Sequence, residues 1–76
     1  EAPDAALIEA LLDKMLAKRG LVLPPEVGSY ISSRLERSYL TLLLVADALD
    51  AASLSQKRGL TIPLAREALV ARGLID

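Results

Sequence analysis

The chain has 76 residues, a formal net charge of −1, and neither histidine nor cysteine. This composition excludes disulfide staples and thiolate metal sites and removes the usual general base near neutral pH. It also lacks the basic excess with which a domain grips nucleic-acid phosphates.

Apolar residues make up 53% of the chain, yet aromatics are only 3%, and the apolar load is leucine and alanine. Those residues favour helix, and β-branched residues are few, so an all-α fold is expected. Proline, glycine and cap residues divide the sequence into four helical segments. The first begins near Pro3, tolerated at a first helical position, with Asp4 early in it. Leu7, Ile8, Leu11, Leu12, Met15 and Leu16 recur at intervals of three and four and predict one apolar stripe. Lys14, Lys18 and Arg19 complement the C-terminal end of the dipole, and Gly20 is placed to stop the helix.

Pro24 and Pro25 open the second helix, with Val27, Tyr30, Ile31 and Leu35 as its buried face. Gly28 and the serines Ser29, Ser32 and Ser33 lower its propensity, so packing must hold it. Their small size would let another backbone come close.

Ser38 is an N-cap for the third and longest helix, which should run to about Lys57 and stop at Gly59. Its first turns read SYLTLLLVADAL, Ser38 to Leu49, apolar apart from Ser38, Thr41 and Asp47. At 100° per residue Leu42, Val45, Ala46, Leu49 and Ala52 cover one side, and Leu40, Leu44, Ala48 and Ala51 another. A helix apolar on nearly every side is usually covered on every side, so the third helix is expected to be the central element. Thr61 caps the fourth helix, with Pro63 in its first turn. Leu64, Ala68 and Leu69 make its stripe, and Gly73 ends it. The connections are short, which favours a compact four-helix bundle.

The longest apolar run, Leu42 to Ala46, falls far short of the roughly 20 residues that span a bilayer. The sequence does not open on a basic-then-apolar signal segment. A soluble, cytoplasmic protein is expected. Serine catalysis through the usual triad is excluded without histidine, and no catalytic residue is assigned. Asp47 and Asp50 share a helix face but make a poor metal site; a solvated or salt-bridged face is the expected role, and no metal site is assigned. The surface of the third helix carries leucine where DNA reading would need Arg, Asn or Gln, so no direct nucleic-acid binding is expected.

The segments GLVLPPEVGSYISSRLERS and ALDAASLSQKRGLTIPLAREAL, in this order and spacing, resemble the helical lid of the chromosomal replication initiator family. That family comprises the AAA+ ATPase DnaA and its regulatory homologue Hda. The resemblance covers Pro3 to Leu69 and is closer to the Hda branch in ALDAAS and RGLTIP. It implies that residues 1–76 form a lid belonging to a longer protein, with the nucleotide-binding α/β domain before Glu1 and no DNA-binding domain after Asp76. It also implies the partners: the protein's own nucleotide-binding domain, a DnaA-type initiator, and a sliding clamp reached through an N-terminal segment outside this chain. ATP or ADP would be bound by the full-length protein and no cofactor by the lid itself, which is expected not to be an enzyme.

Lids of this family carry a sensor arginine near the start of the third helix, which reaches the nucleotide phosphates. Here R-L-E-R-S-Y-L-T-L places Leu40 at that position, and leucine cannot bind phosphate. Arg37, just before the cap, is the best remaining candidate for a nucleotide contact, with Arg34 behind it; the other reading is a scaffold whose nucleotide sensing is weakened or lost, and a solvated arginine at a helix junction is the plainer role for Arg37. Leu40, Leu43 and Leu44 are the candidate interface residues. The rival reading is a helical interaction module with no nucleotide link, which self-associates through exposed leucines as a homo-oligomer.

Overall fold

The computed structural model describes residues 4–75 and contains four helices: α1 (Ala5–Ala17), α2 (Pro25–Ser32), α3 (Tyr39–Gln56) and α4 (Ile62–Ala71). The expected all-α class is what the chain forms.

α1 starts behind Asp4, whose carboxylate accepts a hydrogen bond from the Leu7 N–H at 2.8 Å. Asp4 is therefore the cap itself, satisfying one of the donors a helix start leaves open. Pro3, expected at the helix start, lies outside the described residues. Ile8, Leu12 and Leu16, spaced by four, form one fully buried row. Leu7 falls one residue off that row and is half exposed, which narrows the predicted stripe. Gly20 closes α1 at φ +75°. There the Leu21 N–H donates to the Leu16 carbonyl at 2.9 Å and the Gly20 N–H to the Ala17 carbonyl at 3.0 Å. This pair of bonds around a left-handed residue satisfies the last carbonyls of a helix.

α2 opens on Pro24 and Pro25, with proline where its missing N–H costs nothing. Val27 and Ile31 are buried, Tyr30 is half-buried, and Leu35 is buried just beyond the helix. Gly28 faces α1, where a β-carbon would stand 2.8 Å from Glu9 Cγ. Glycine is what lets the two helices come this close.

α3 is capped by Ser38, whose hydroxyl accepts from the Thr41 N–H at 3.1 Å. Its far end differs from expectation. The left-handed residue is Lys57, φ +53°, and not Gly59. The stop falls early because the Arg58 N–H donates to the Ser53 carbonyl at 3.2 Å, while the Ser53 hydroxyl donates back to the Arg58 carbonyl at 2.6 Å. α4 is capped by Thr61, whose hydroxyl accepts from the Leu64 N–H at 3.2 Å. It ends at Gly73, φ +70°, with the same bond pair as α1: Leu74 N–H to Leu69 carbonyl at 2.9 Å and Gly73 N–H to Val70 carbonyl at 3.0 Å.

The helices pack as a ring: α1 on α2, α2 on α4, α4 on α3 and α3 on α1. The core inside it joins Ile8, Leu12 and Leu16 to Val27 and Ile31, to Leu42, Val45 and Leu49, and to Leu64 and Leu69. α3 is the longest helix, as expected. Its place is between α1 and α4, with one face in the core and the opposite face turned outward. The expectation of a rod covered on every side therefore holds only for its inner half. No described helix is long and apolar enough to cross a membrane.

Candidate functional site

The two faces of α3 follow from its 3.6-residue turn. Leu42, Val45, Ala46, Ala48 and Leu49 point inward and are buried. Ala48, grouped by sequence with Leu40 and Leu44, belongs to this inner side. On the outer side Leu40 is 66% exposed, Leu43 41% and Leu44 45%. All three leucines singled out as candidate interface residues are thus at the surface, together within two turns of the α3 N-terminus. Tyr39 and Leu54, which sequence reasoning did not single out, are also exposed on this helix. Leucine on both faces removes the polar contrast that would have told them apart.

One polar residue interrupts the outer side. Asp47 follows Leu40, Leu43 and Leu44 on the same surface, with Ala51 and Leu54 beyond it. It receives a hydrogen bond from Arg72 Nη1 at 2.9 Å, and Arg19 Nη1 lies 3.6 Å from its other oxygen. Arg19 also donates to Asp50 at 3.1 Å. The Arg72 hydrogen bond holds the Asp47 carboxyl below its ordinary value of 3.8, against desolvation and with help from the charges of Arg72 and Arg19. The salt-bridged role expected for Asp47 and Asp50 is the one the structure gives them. Both arginines come from a repeated hexapeptide, L-x-x-R-G-L, at Leu16–Leu21 and Leu69–Leu74. The repeat is a sequence signal for two matched helix ends, and the packing of α1 and α4 on α3 brings them together.

The two arginines considered for phosphate differ in their surroundings. Arg34 is folded back: its guanidinium lies 3.9 Å from the Tyr30 ring centroid and donates to the Tyr30 carbonyl and the Ser33 hydroxyl, each at 3.0 Å. It thereby closes the end of α2. Arg37 is exposed, lies just before the Ser38 cap, and forms no salt bridge among the described residues. Leu40 stands one turn away, exposed in the first turn of α3.

The grooves elsewhere are shallow. One, of about 350 Å³, lies between α1 and the start of α2 and is lined by Ala6, Glu9, Ala10, Asp13, Leu23 and Pro25. Another, of about 530 Å³, runs along α4 beside Arg66, Glu67 and Val70. Among the described residues no group of His, Cys, Asp and Glu is placed to hold a metal ion.

A family model described as "Hda, lid domain" matches residues 4–69, which takes in all of α1, α2 and α3 and most of α4. The chain belongs to the Hda lid-domain family. It is therefore the lid type of a DnaA-related AAA+ protein, a family tied to the regulation of DnaA-dependent replication. A lid of this kind is not itself catalytic. No solved structure matches the chain significantly.

Proposed function

We propose that this Hda lid docks the outer face of α3, through Leu40, Leu43 and Leu44, onto the nucleotide-binding domain of its own AAA+ protein and toward a DnaA-type initiator. In this reading residues 1–76 are the lid of a longer, cytoplasmic protein. A sliding clamp is engaged by an N-terminal segment outside this chain. ATP or ADP is held by the neighbouring domain, with Arg37 the lid residue that reaches the phosphates. The observation that carries the reading is the three adjacent leucines left uncovered at the junction where the family holds its nucleotide-sensing arginine. Grouped apolar side chains of this kind mark contact surfaces.

The size of the patch also favours docking within one protein. A stable complex of free partners uses roughly 800 Å² a side, about 20–30 residues, and a few side chains fall short of that. A tethered domain needs less, because the linker supplies a high effective concentration. The same argument weighs against the rival reading of a free self-associating module. The test uses the lid joined to its nucleotide-binding domain. Leu43→Asp combined with Leu44→Asp should abolish the association of the lid with the nucleotide-binding domain, read as faster protease cutting between the two, while circular dichroism shows the lid alone still helical. Undiminished association would contradict the proposal. Arg37→Ala should weaken ADP and ATP binding, and unchanged affinities would remove Arg37 from it.

A further inference from the structure

The outer side of α3 carries Leu40, Leu43, Leu44, Asp47, Ala51 and Leu54 in one line along the helix. Five of these six are apolar. With an apolar residue in place of Asp47, the line would be an unbroken seam of the kind along which two helices pack ridge into groove. Exposed seams like this draw copies of a protein together.

We infer that Asp47, with Arg19 and Arg72 laid over it, is the device that stops copies of this domain from pairing through α3. Three observations support this. Asp47 is the sole charged residue of the line and sits at its midpoint. Its side chain is 60% exposed, and ion pairs this open contribute little to stability, so holding the fold together does not account for the cluster. Arg19 and Arg72 come from the matched ends of α1 and α4, each next to a left-handed glycine, Gly20 and Gly73. The two ends thus deliver two guanidinium groups to one carboxylate. A second α3 laid along this face would have to strip water from all of these charged groups, and burying charges imperfectly paired is costly. The cluster divides the seam into an N-terminal leucine patch and an isolated Leu54. The inference concerns only pairing between copies and stands whatever covers Leu40, Leu43 and Leu44.

Analytical ultracentrifugation of the 76-residue chain over a wide concentration range tests it, with circular dichroism to establish folding. The unaltered chain should remain at monomer mass. Asp47→Leu should shift to about twice that mass as concentration rises, the signature of a two-fold pair. Adding Leu44→Asp to Asp47→Leu should return it to monomer mass. Asp47→Ala, which keeps the helix and adds no bulk, should shift in the same direction as Asp47→Leu but less far. Monomeric behaviour of both Asp47→Leu and Asp47→Ala would overturn the inference. So would pairing of the unaltered chain that Leu44→Asp abolishes, because the cluster would then fail to block what it is inferred to block.

Discussion

Arg72, at the end of α4, donates a hydrogen bond to Asp47 in the middle of α3 at 2.9 Å. The contact ties one exposed carboxylate to the end of α4, and at this exposure its charge has only a small effect on stability. Asp47 is held below its ordinary value of 3.8, chiefly by that hydrogen bond. A carboxyl whose folded value is depressed contributes stability that is fully present above its unfolded value and is lost as pH falls through the folded value. Melting temperatures taken through the acid range should show a drop below pH 3.8 that is only slightly smaller in Asp47→Asn, because the pair is open to solvent. A large difference between the two acid profiles would mean that the cluster does hold the fold together.

The two faces of α3 should respond very differently to the same chemical change. Leu42 and Leu49 are fully buried, whereas Leu40 is mostly exposed. Leu42→Ala and Leu49→Ala should each destabilise the domain by about 2–5 kcal/mol, the cost of lost burial plus a cavity. Leu40→Ala should stay within about 0.5 kcal/mol. Urea denaturation of the three variants checks this, and a large loss for Leu40→Ala would mean that the domain covers it.

Lys57 carries a side chain in the left-handed region, at φ +53°. That conformation costs an L-residue roughly 1–2 kcal/mol, and glycine adopts it without the β-carbon clash, at some cost in unfolded-state entropy. Lys57→Gly should therefore raise stability by about 0.5–1 kcal/mol. The midpoint of denaturant unfolding measures it. A fall in the midpoint would show that the lysine side chain offsets its own strain.

Gly28 and Glu9 should be energetically coupled. A β-carbon at Gly28 would press on the Glu9 side chain at 2.8 Å, while alanine in a helix interior gains about 1 kcal/mol over glycine. Gly28→Ala should be more favourable in a Glu9→Ala background than alone, by about 0.5–1 kcal/mol. A double-mutant cycle with zero coupling would refute the close approach.

Much of the fold was legible because helix ends are written locally. Asp4, Ser38 and Thr61 offer oxygen to an open N–H, and Gly20 and Gly73 take the left-handed turn. Lys57 escaped because the chain contains a glycine two residues later, and the Ser53–Arg58 bonds that fix the stop are not visible in composition. The faces of α3 were only half legible. A helix with leucine all round gives no amphipathic contrast, so the packing of α1 and α4 decides which leucines are core. The resemblance gave only an expectation of arginine at Leu40, while its exposure came from the fold. The convergence of Arg19 and Arg72 on Asp47 depends on how the ring closes, and the repeated L-x-x-R-G-L marks only the two like helix ends.

If the N-terminal leucine patch of α3 is covered in the protein this lid serves, a thiol placed there is protected in that protein. The chain has no cysteine, so Leu40→Cys places one thiol on that face, and Val22→Cys places a control on an exposed loop residue. Thiol labelling rates should be compared between the 76-residue chain and the lid joined to its nucleotide-binding domain in a cysteine-free background. Labelling should be fast at both positions in the chain alone, with strong protection of Leu40→Cys, and none of Val22→Cys, in the joined protein. Equal labelling of Leu40→Cys in the two settings would contradict that coverage.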